Sequence, residues 1–305
     1  MAVSPVAPVA TAACPELAEG RAASRRGWRS QQLSLHGRPE RRAESAFSAA
    51  AGERILAVVV ISVLLALTVL AVAFYYAVAA PASQWLGKTL VCGDPGAGKI
   101  ALTFDDGPGK DTPAILDLLR QAGIRATFFL CGQNAERFPE YARQIAEQGH
   151  EIGNHTYFHP CLLWKTPGKI AYEIDRAQKV ITYRTGQQPK FFRPPYGLRW
   201  FGLFPILRNS DLTAVMWSVN GRDWKLPARR IAGRVLRRAH SGAIILLHDG
   251  APPRQSGDRQ QTVEALQEIL PALKYRYQFV TVSELQAATK VSSEPHAPVP
   301  SEVEG

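Results

Sequence analysis

Hydrophobic and polar positions divide the chain into three regimes. Between Ile55 and Ala80 stand 26 residues without a charge, ILAVVVISVLLALTVLAVAFYYAVAA. A bilayer core takes roughly 20 such residues in a helix, so the stretch is long enough to span with some tilt. Residues 1–54 are rich in Ala, Pro, Ser, Glu and Arg without a sustained apolar period, which predicts a disordered tail. From Lys99 onward short apolar runs alternate with segments of helical period. Strands are predicted at 100–104, 126–131, 151–154, 190–192, 213–219, 243–247 and 279–283. A helix opens at Asp111-Thr112-Pro113, a cap followed by Pro in the first turn, and ends at Gly123. Thr166-Pro167 gives a second such start, and helices are predicted at 135–148, 167–185, 227–239 and 261–275. Strands alternating with helices imply a parallel sheet, and about seven repeats in some 200 residues predict an α/β fold with a closed or nearly closed barrel. An open doubly wound sheet is the alternative.

Charge adds an orientation. The tail carries eight Arg, with Arg54 directly against the apolar stretch and Arg38, Arg41 and Arg42 nearby, whereas Pro81 to Leu90 carries only Lys88. The positive-inside rule then places residues 1–54 in the cytoplasm and residues 81–305 outside. A cleavable signal has an apolar stretch of only about 7–15 residues at the very N-terminus, so residues 55–80 read as an uncleaved single-pass anchor, although Ala79-Ala80-Pro81-Ala82 leaves cleavage open. Residues 81–98 read as a linker, 99–287 as one domain, and 288–305 as a second disordered tail. The 305 residues carry a net charge of +10, and residues 81–305 hold 28 Lys and Arg against 21 Asp and Glu. Five of the Arg crowd the segment 227–239, which reads as a solvated face or as a surface for anionic lipid or glycan. A domain outside the membrane excludes nucleic acid as its partner. Disulfides are allowed there, but Cys92, Cys131 and Cys161 leave at least one thiol unpaired within a monomer. The oligomeric state is not legible.

One motif is a decoy. Gly93 to Lys99, GDPGAGK, opens like a phosphate-binding loop, but Ile100 follows where Ser or Thr is needed, and a strand follows where a helix is needed.

The chemistry gathers at strand ends. The apolar run Ile100–Phe104 stops at two adjacent carboxylates, Asp105 and Asp106, which repel each other unless a cation lies between them or their tasks differ. The third strand runs into His155 and His159, the fourth into Arg193-Pro-Pro-Tyr196-Gly197, the fifth toward Asn220, Asp223 and Trp224, and the sixth into His248-Asp249-Gly250. All fall at the C-terminal ends of predicted strands, where barrels of this kind place their sites. His155 and His159 are four apart, the spacing that puts two imidazoles on one face of a helical turn. With a carboxylate from the first strand they form a sensible site for zinc or a similar divalent ion with open positions. Cys131 and Cys161 lie near; a thiolate ligand and a small buried hydrophobe are both open to them, the second being the commoner role. His150 and His240 stand at helix ends and read as local caps or surface residues.

Taken in order, TFDDGP, HTYFHP, RPPYG, the Asp-Trp pair and LLHDG resemble the motifs of the polysaccharide deacetylases, carbohydrate esterase family 4, whose module is also called the chitooligosaccharide deacetylase homology domain. The resemblance covers about residues 98–287 and implies a distorted (β/α)7-type barrel. It implies that Asp105 is the general base and that Asp106, His155 and His159 hold the metal. Arg193 would orient Asp105, the backbone N–H of Tyr196 would hold the oxyanion, and His248 would be the general acid with Asp223 keeping it charged. Trp224 and Leu246 would wall the pocket for the acetyl methyl group. The chain departs from the pattern at Asn220, where the family often carries Asp; a change in loop hydrogen bonding or substrate contact is expected there.

The expected function is metal-dependent removal of N-acetyl groups from peptidoglycan or an N-acetylglucosamine oligomer, with one divalent ion, zinc before cobalt. Hydrolysis of an O-acetyl ester, deacylation of a lipid-linked amino sugar, and a non-catalytic glycan-binding wall protein stand as alternatives.

Overall fold

The computed structural model describes residues 39–293, so the expectations for residues 1–38 and 294–305 lie outside the described residues. Helix α1 (Pro39–Ala79) opens the described chain. Neither Gly nor Pro interrupts residues 53–80, and Pro81 ends the helix. Its segment Ala50–Ala79 is long and apolar enough to cross a membrane. Residues 39–54, which composition reads as disordered tail, are helical. Their Ala, Glu and Arg are strong helix formers, and extending an existing helix carries no nucleation cost. From Ala66 onward the chain forms one compact unit.

Within that unit the order is β1 (Thr89–Leu90), β2 (Lys99–Asp105), α2 (Thr112–Ala122), β3 (Thr127–Leu130), α3 (Gly132–Arg137), α4 (Pro139–Glu147), β4 (Glu151–Asn154) and α5 (Pro167–Thr185). There follow β5 (Phe191–Phe192), α6 (Leu203–Asn209), β6 (Thr213–Val215), β7 (Val219–Asn220), α7 (Ala228–Arg238), β8 (Ile244–His248), α8 (Gln260–Lys274), β9 (Gln278–Val280) and α9 (Val282–Ser293). The strands run β1-β6-β5-β4-β3-β2-β8-β7, with β9 also on β2, and every strand pairing is parallel. β7 ends this path and β6 lies next to its other end, yet only Met216, Trp217 and Ser218 separate the two in the chain. The sheet therefore curls back on itself into an incompletely closed barrel of the (β/α)7 kind, not an open doubly wound sheet.

Every residue of β2 after Lys99 is buried, and the period of two decides which core each side chain enters. Ile100, Leu102 and Phe104 face the outer core shared with α2 and α8, while Ala101 joins Phe129, Phe191, Val215 and Ile244 inside the curl. Thr103 and Asp105 share that inner face, where Arg193 reaches both. Register completes the alignment, since Asp105 lies opposite Phe129 on β3 and opposite His248 on β8.

Several expectations shift. The predicted strand 213–219 breaks into β6 and β7 around Trp217. The predicted helix 135–148 divides at Phe138-Pro139 into α3 and α4, because Pro139 supplies no amide donor to continue the first. The linker 81–98 contributes β1, which pairs with β6, and Cys92 bridges to Ala243. The last predicted strand stops at Val280, and residues 288–293, read as tail, continue α9.

Candidate active site

Five strand ends and the loops after them build one cavity of about 400 Å3 lined by Asp105, Asp106, His155, His159, Tyr196, Trp224, Leu246 and His248, among others. Arg193 and Asp223, each 0% exposed, stand behind this lining. All ten residues singled out in the sequence are thus brought to one place.

The adjacent carboxylates have separate surroundings. Asp105 Oδ1 accepts from Arg193 Nη1 at 2.7 Å. The same guanidinium donates to Thr103 Oγ1 at 2.8 Å and to the carbonyls of Met216 at 3.0 Å and Val215 at 3.3 Å, and lies 4.0 Å over the Phe129 ring. Every edge of it is held, so it fixes Asp105 in one orientation. Asp106, at φ 70, turns toward the histidines: its Oδ1 lies 3.3 Å from His155 Nε2 and 3.1 Å from His159 Nε2. Burial pushes the Asp106 carboxyl up, but His155, His248 and His159 around it hold it well below the usual carboxylate range.

His155 Nδ1 lies 2.7 Å from the Arg193 carbonyl and donates to it, which leaves the Nε2 lone pair directed at Asp106. His159 follows a loop in which Thr156 (φ 67) and His159 itself (φ 57) are left-handed. The pair converges through this loop, not through the helical turn that the spacing suggested. Burial lowers the His159 imidazole to about pKa 4, so it is neutral and able to donate a lone pair at pH 7. Asp106 Oδ1 and His159 Nδ1 are buried without a hydrogen-bond partner, and one ligand atom from each of Asp106, His155 and His159 lies within 4.8 Å of the others. A carboxylate oxygen left unsatisfied between two imidazole nitrogens is costly as it stands and fits a divalent cation. Left-handed backbone at Asp106, His159 and Tyr196 (φ 59) costs of order 1–3 kcal/mol each, strain gathered where the cluster requires it.

Across the cavity, His248 Nδ1 lies 2.7 Å from Asp223 Oδ1, and its backbone N–H donates to Asp223 Oδ2 at 2.7 Å. Thr262 Oγ1 donates to the same Oδ2 at 2.8 Å. Burial disfavours the imidazolium, but Asp223 outweighs it and raises His248 to about pKa 9. Its Nε2 is 4.0 Å from Asp106 Oδ2, and the Trp224 ring stands edge-on to it at 5.1 Å. The site thus sets the Asp106 carboxylate, held ionised, near a cationic His248 imidazole.

A profile of the family described as polysaccharide deacetylase matches residues 93–215. The chain is 40% identical over 195 residues to a peptidoglycan-N-acetylglucosamine deacetylase of Bacillus cereus, covering 63% of this chain and 70% of the relative. The chain belongs to the polysaccharide deacetylase family. It is 39% identical over 186 residues to a chitooligosaccharide deacetylase of Azorhizobium caulinodans, covering 58% of this chain and 89% of that one. A crystal structure of a peptidoglycan N-acetylglucosamine deacetylase superposes with a TM-score of 0.62 at 38% identity, covering 66% of this chain and 94% of the other.

Other lining residues of the deacetylase escape sequence reasoning. Trp217 sits where a continuous strand was expected, and Gln255 and Arg259 lie on the loop after β8. Their only signal is that they follow a strand end. Asn220 lines the cavity while its Oδ1 accepts from the Arg222 amide at 2.8 Å, closing the turn before Asp223. Cys131 is buried and Cys161 exposed, both as free thiols, and neither joins the Asp106 cluster. His150, read as a cap or a surface residue, is buried and accepts from the Ala126 amide at Nδ1, 3.1 Å.

Proposed function

We propose that this deacetylase removes N-acetyl groups from a cell-envelope glycan, peptidoglycan or an N-acetylglucosamine oligomer, with a divalent ion held by Asp106, His155 and His159. The observation that carries the reading is the division of labour between neighbours: Asp105 is held by Arg193, while Asp106 faces two imidazoles. Two imidazoles and one carboxylate suit zinc first and cobalt second. When bound, such an ion polarises the amide carbonyl and lowers the pKa of water.

The chain's own residues supply the rest. Asp105 takes a proton from the attacking water as its oxygen bonds to the acetyl carbon. The Tyr196 backbone N–H donates to the oxyanion that develops. His248 delivers a proton from Nε2 to the amine nitrogen as the carbon–nitrogen bond breaks, so acetate and a free amine leave. Arg193 positions Asp105, and Asp223 keeps His248 protonated. Trp224 and Leu246 exclude water beside the acetyl methyl.

The same reading makes residues 55–80 a membrane anchor with residues 1–54 cytoplasmic and the catalytic domain outside. Support comes from aromatic contacts at the end of α1, where Phe74 stacks on Trp164 and meets Trp200 edge-on, both at 6.3 Å. Trp164 and Trp200 extend the loops that carry His159 and Tyr196. Interfacial Trp next to a span favours, as a second reading, a glycan held close to the bilayer such as a lipid-linked amino sugar.

The test is acetate release by the detergent-solubilised full chain from N-acetylglucosamine oligomers and from peptidoglycan. Release is expected to vanish on chelation, return with zinc or cobalt, and fall at least about a hundredfold in Asp105→Asn. Metal-independent release, or release from O-acetyl esters alone, defeats the proposal.

A further inference from the structure

A second, larger cavity of about 640 Å3 lies beside the reaction cavity. Lys110, Arg137 and Arg254 line it, and no carboxylate does. The two cavities share Gln255, on the loop between β8 and α8. Asn134 ties their walls together, donating from Nδ2 to the Asp106 carbonyl at 2.6 Å and to the Ala251 carbonyl at 2.9 Å. On the reaction side of Gln255, Arg259 lines the first cavity although it is only 8% exposed. Among the described residues its guanidinium forms no ion pair; Nε has no partner and Nη1 donates to the Asp258 carbonyl at 2.9 Å, while the Arg259 backbone N–H donates to the Asp111 carboxylate at 2.5 Å.

The chain neutralises part of this charge: Glu136 lines an adjoining cavity together with Arg137 and Arg254. Lys110 meets Asp258 at 3.6 Å, with both groups more than half exposed. Glu136, the nearest acid to Arg137 in sequence, accepts from the Tyr157 hydroxyl. Arg137 lies 5.1 Å over Phe138 and Arg254 4.4 Å over Phe158. Ring faces hold a guanidinium in place but leave its N–H edges free. Lys110, Arg137 and Arg254 are exposed, so an anion reaches them directly from solvent, and the planar fork of a guanidinium takes oxyanions two bonds at a time.

We propose that the second cavity is a subsite for an anionic oxyacid group, a carboxylate or phosphate ester, on the glycan whose acetyl group occupies the reaction cavity. Arg254, Arg137 and Lys110 grip the anion, and Arg259 stands at the passage between the cavities. The inference rests on the deacetylase reading and narrows it, from any N-acetylated glycan to one bearing negative charge.

The experiment measures kcat/KM of the full chain in detergent on three substrates: neutral N-acetylglucosamine oligomers, muramic-acid-containing glycan strands that carry carboxylates, and phosphate-substituted N-acetylglucosamine oligomers. At least about a tenfold preference for a charged glycan over the neutral one is expected, carried by KM and shrinking as salt rises. Whichever charged arm shows it identifies the oxyacid. In the double variant Arg137→Gln, Arg254→Gln the ratio of charged to neutral is expected to fall to near one, and in Arg254→Lys to an intermediate value. Equal kcat/KM on charged and neutral glycans, or a preference that survives the double variant, overturns the subsite. Calorimetry with the Asp105→Asn chain separates the two claims. Charged glycan that binds more tightly than neutral through Arg137 and Arg254, without acetate release by the unsubstituted chain, sinks the hydrolysis and keeps the subsite. Acetate release without that binding preference does the reverse.

Discussion

Arg193 and Asp105 form an ion pair inside the barrel, Nη1 to Oδ1 at 2.7 Å, in which the guanidinium is 0% and the carboxylate 5% exposed. Breaking such a pair leaves a charge without water or partner, typically at a cost of about 3–5 kcal/mol. Arg193→Ala is therefore expected to lower unfolding stability by that order as well as to suppress turnover. Arg193→Lys keeps the charge but can reach at most part of the four acceptors, so it should fold more stably than the alanine variant while remaining slow. Denaturant melts beside acetate-release rates check both, and an alanine variant as stable as the parent contradicts the buried-pair account.

Asp223 governs the pH range over which His248 holds its proton. The imidazole titrates near 9 because the Asp223 carboxylate outweighs the effect of burial. Asp223→Asn keeps the shape but removes the charge, so the alkaline limb of the kcat/KM profile should move down by about one unit or more, toward the unperturbed His value near 6.5. A limb that stays in place in the variant assigns the alkaline pKa to another group.

Regular periodicity made much of the barrel legible. Strand β4 occupies its predicted residues and so does α5, where Thr166 accepts from the Lys169 amide before Pro167 and Gly186 closes the helix at φ 71. Two-residue strands such as β1 carry no pattern to read, and α6 was missed altogether. At the site, side chains at strand ends could be found because the alternation fixes which end of the sheet they reach. Gln255 and Arg259 could not, since tertiary packing alone brings their loop to the cavity. The His155–His159 spacing suggested the right neighbours by the wrong local structure, because the left-handed turns at Thr156 and His159 leave no periodic trace.

His150 ties stability to pH away from the site. Burial, helped by Arg125, depresses this imidazole to about pKa 4, and Nδ1 accepts from the Ala126 amide. The unfolded chain takes up the proton near pH 6.5 and the folded chain only near 4. The stability held above 6.5 is therefore lost progressively as pH falls through that window, to a total on the order of 3 kcal/mol. His150→Gln retains an acceptor that does not titrate. The difference between the two chains in thermal unfolding should change sign or shrink steeply between pH 7 and pH 4, and a constant difference excludes His150 as the sensor.

Arg199 secures the end of α1 to the loop that carries Tyr196. The last carbonyls of a helix have no partner within it and need donors from elsewhere. Here the Arg199 amide donates to the Val78 carbonyl at 2.9 Å, Nη1 to the carbonyls of Ser83 at 2.8 Å and Pro81 at 3.4 Å, and Nη2 to the Ala80 carbonyl. The side chain is 1% exposed, so water does not replace it when it is lost. Arg199→Met fills much of the same volume but leaves at least two carbonyls unsatisfied, at about 1–3 kcal/mol each. Because Tyr196 is only three residues away, the loosened loop should also misplace its backbone N–H. The expected result is faster proteolysis within residues 79–86 together with a fall in kcat larger than any rise in KM. Proteolysis without a kinetic effect would make Arg199 a structural clamp alone, and an unchanged cleavage rate would show that α1 is held by its aromatic contacts instead.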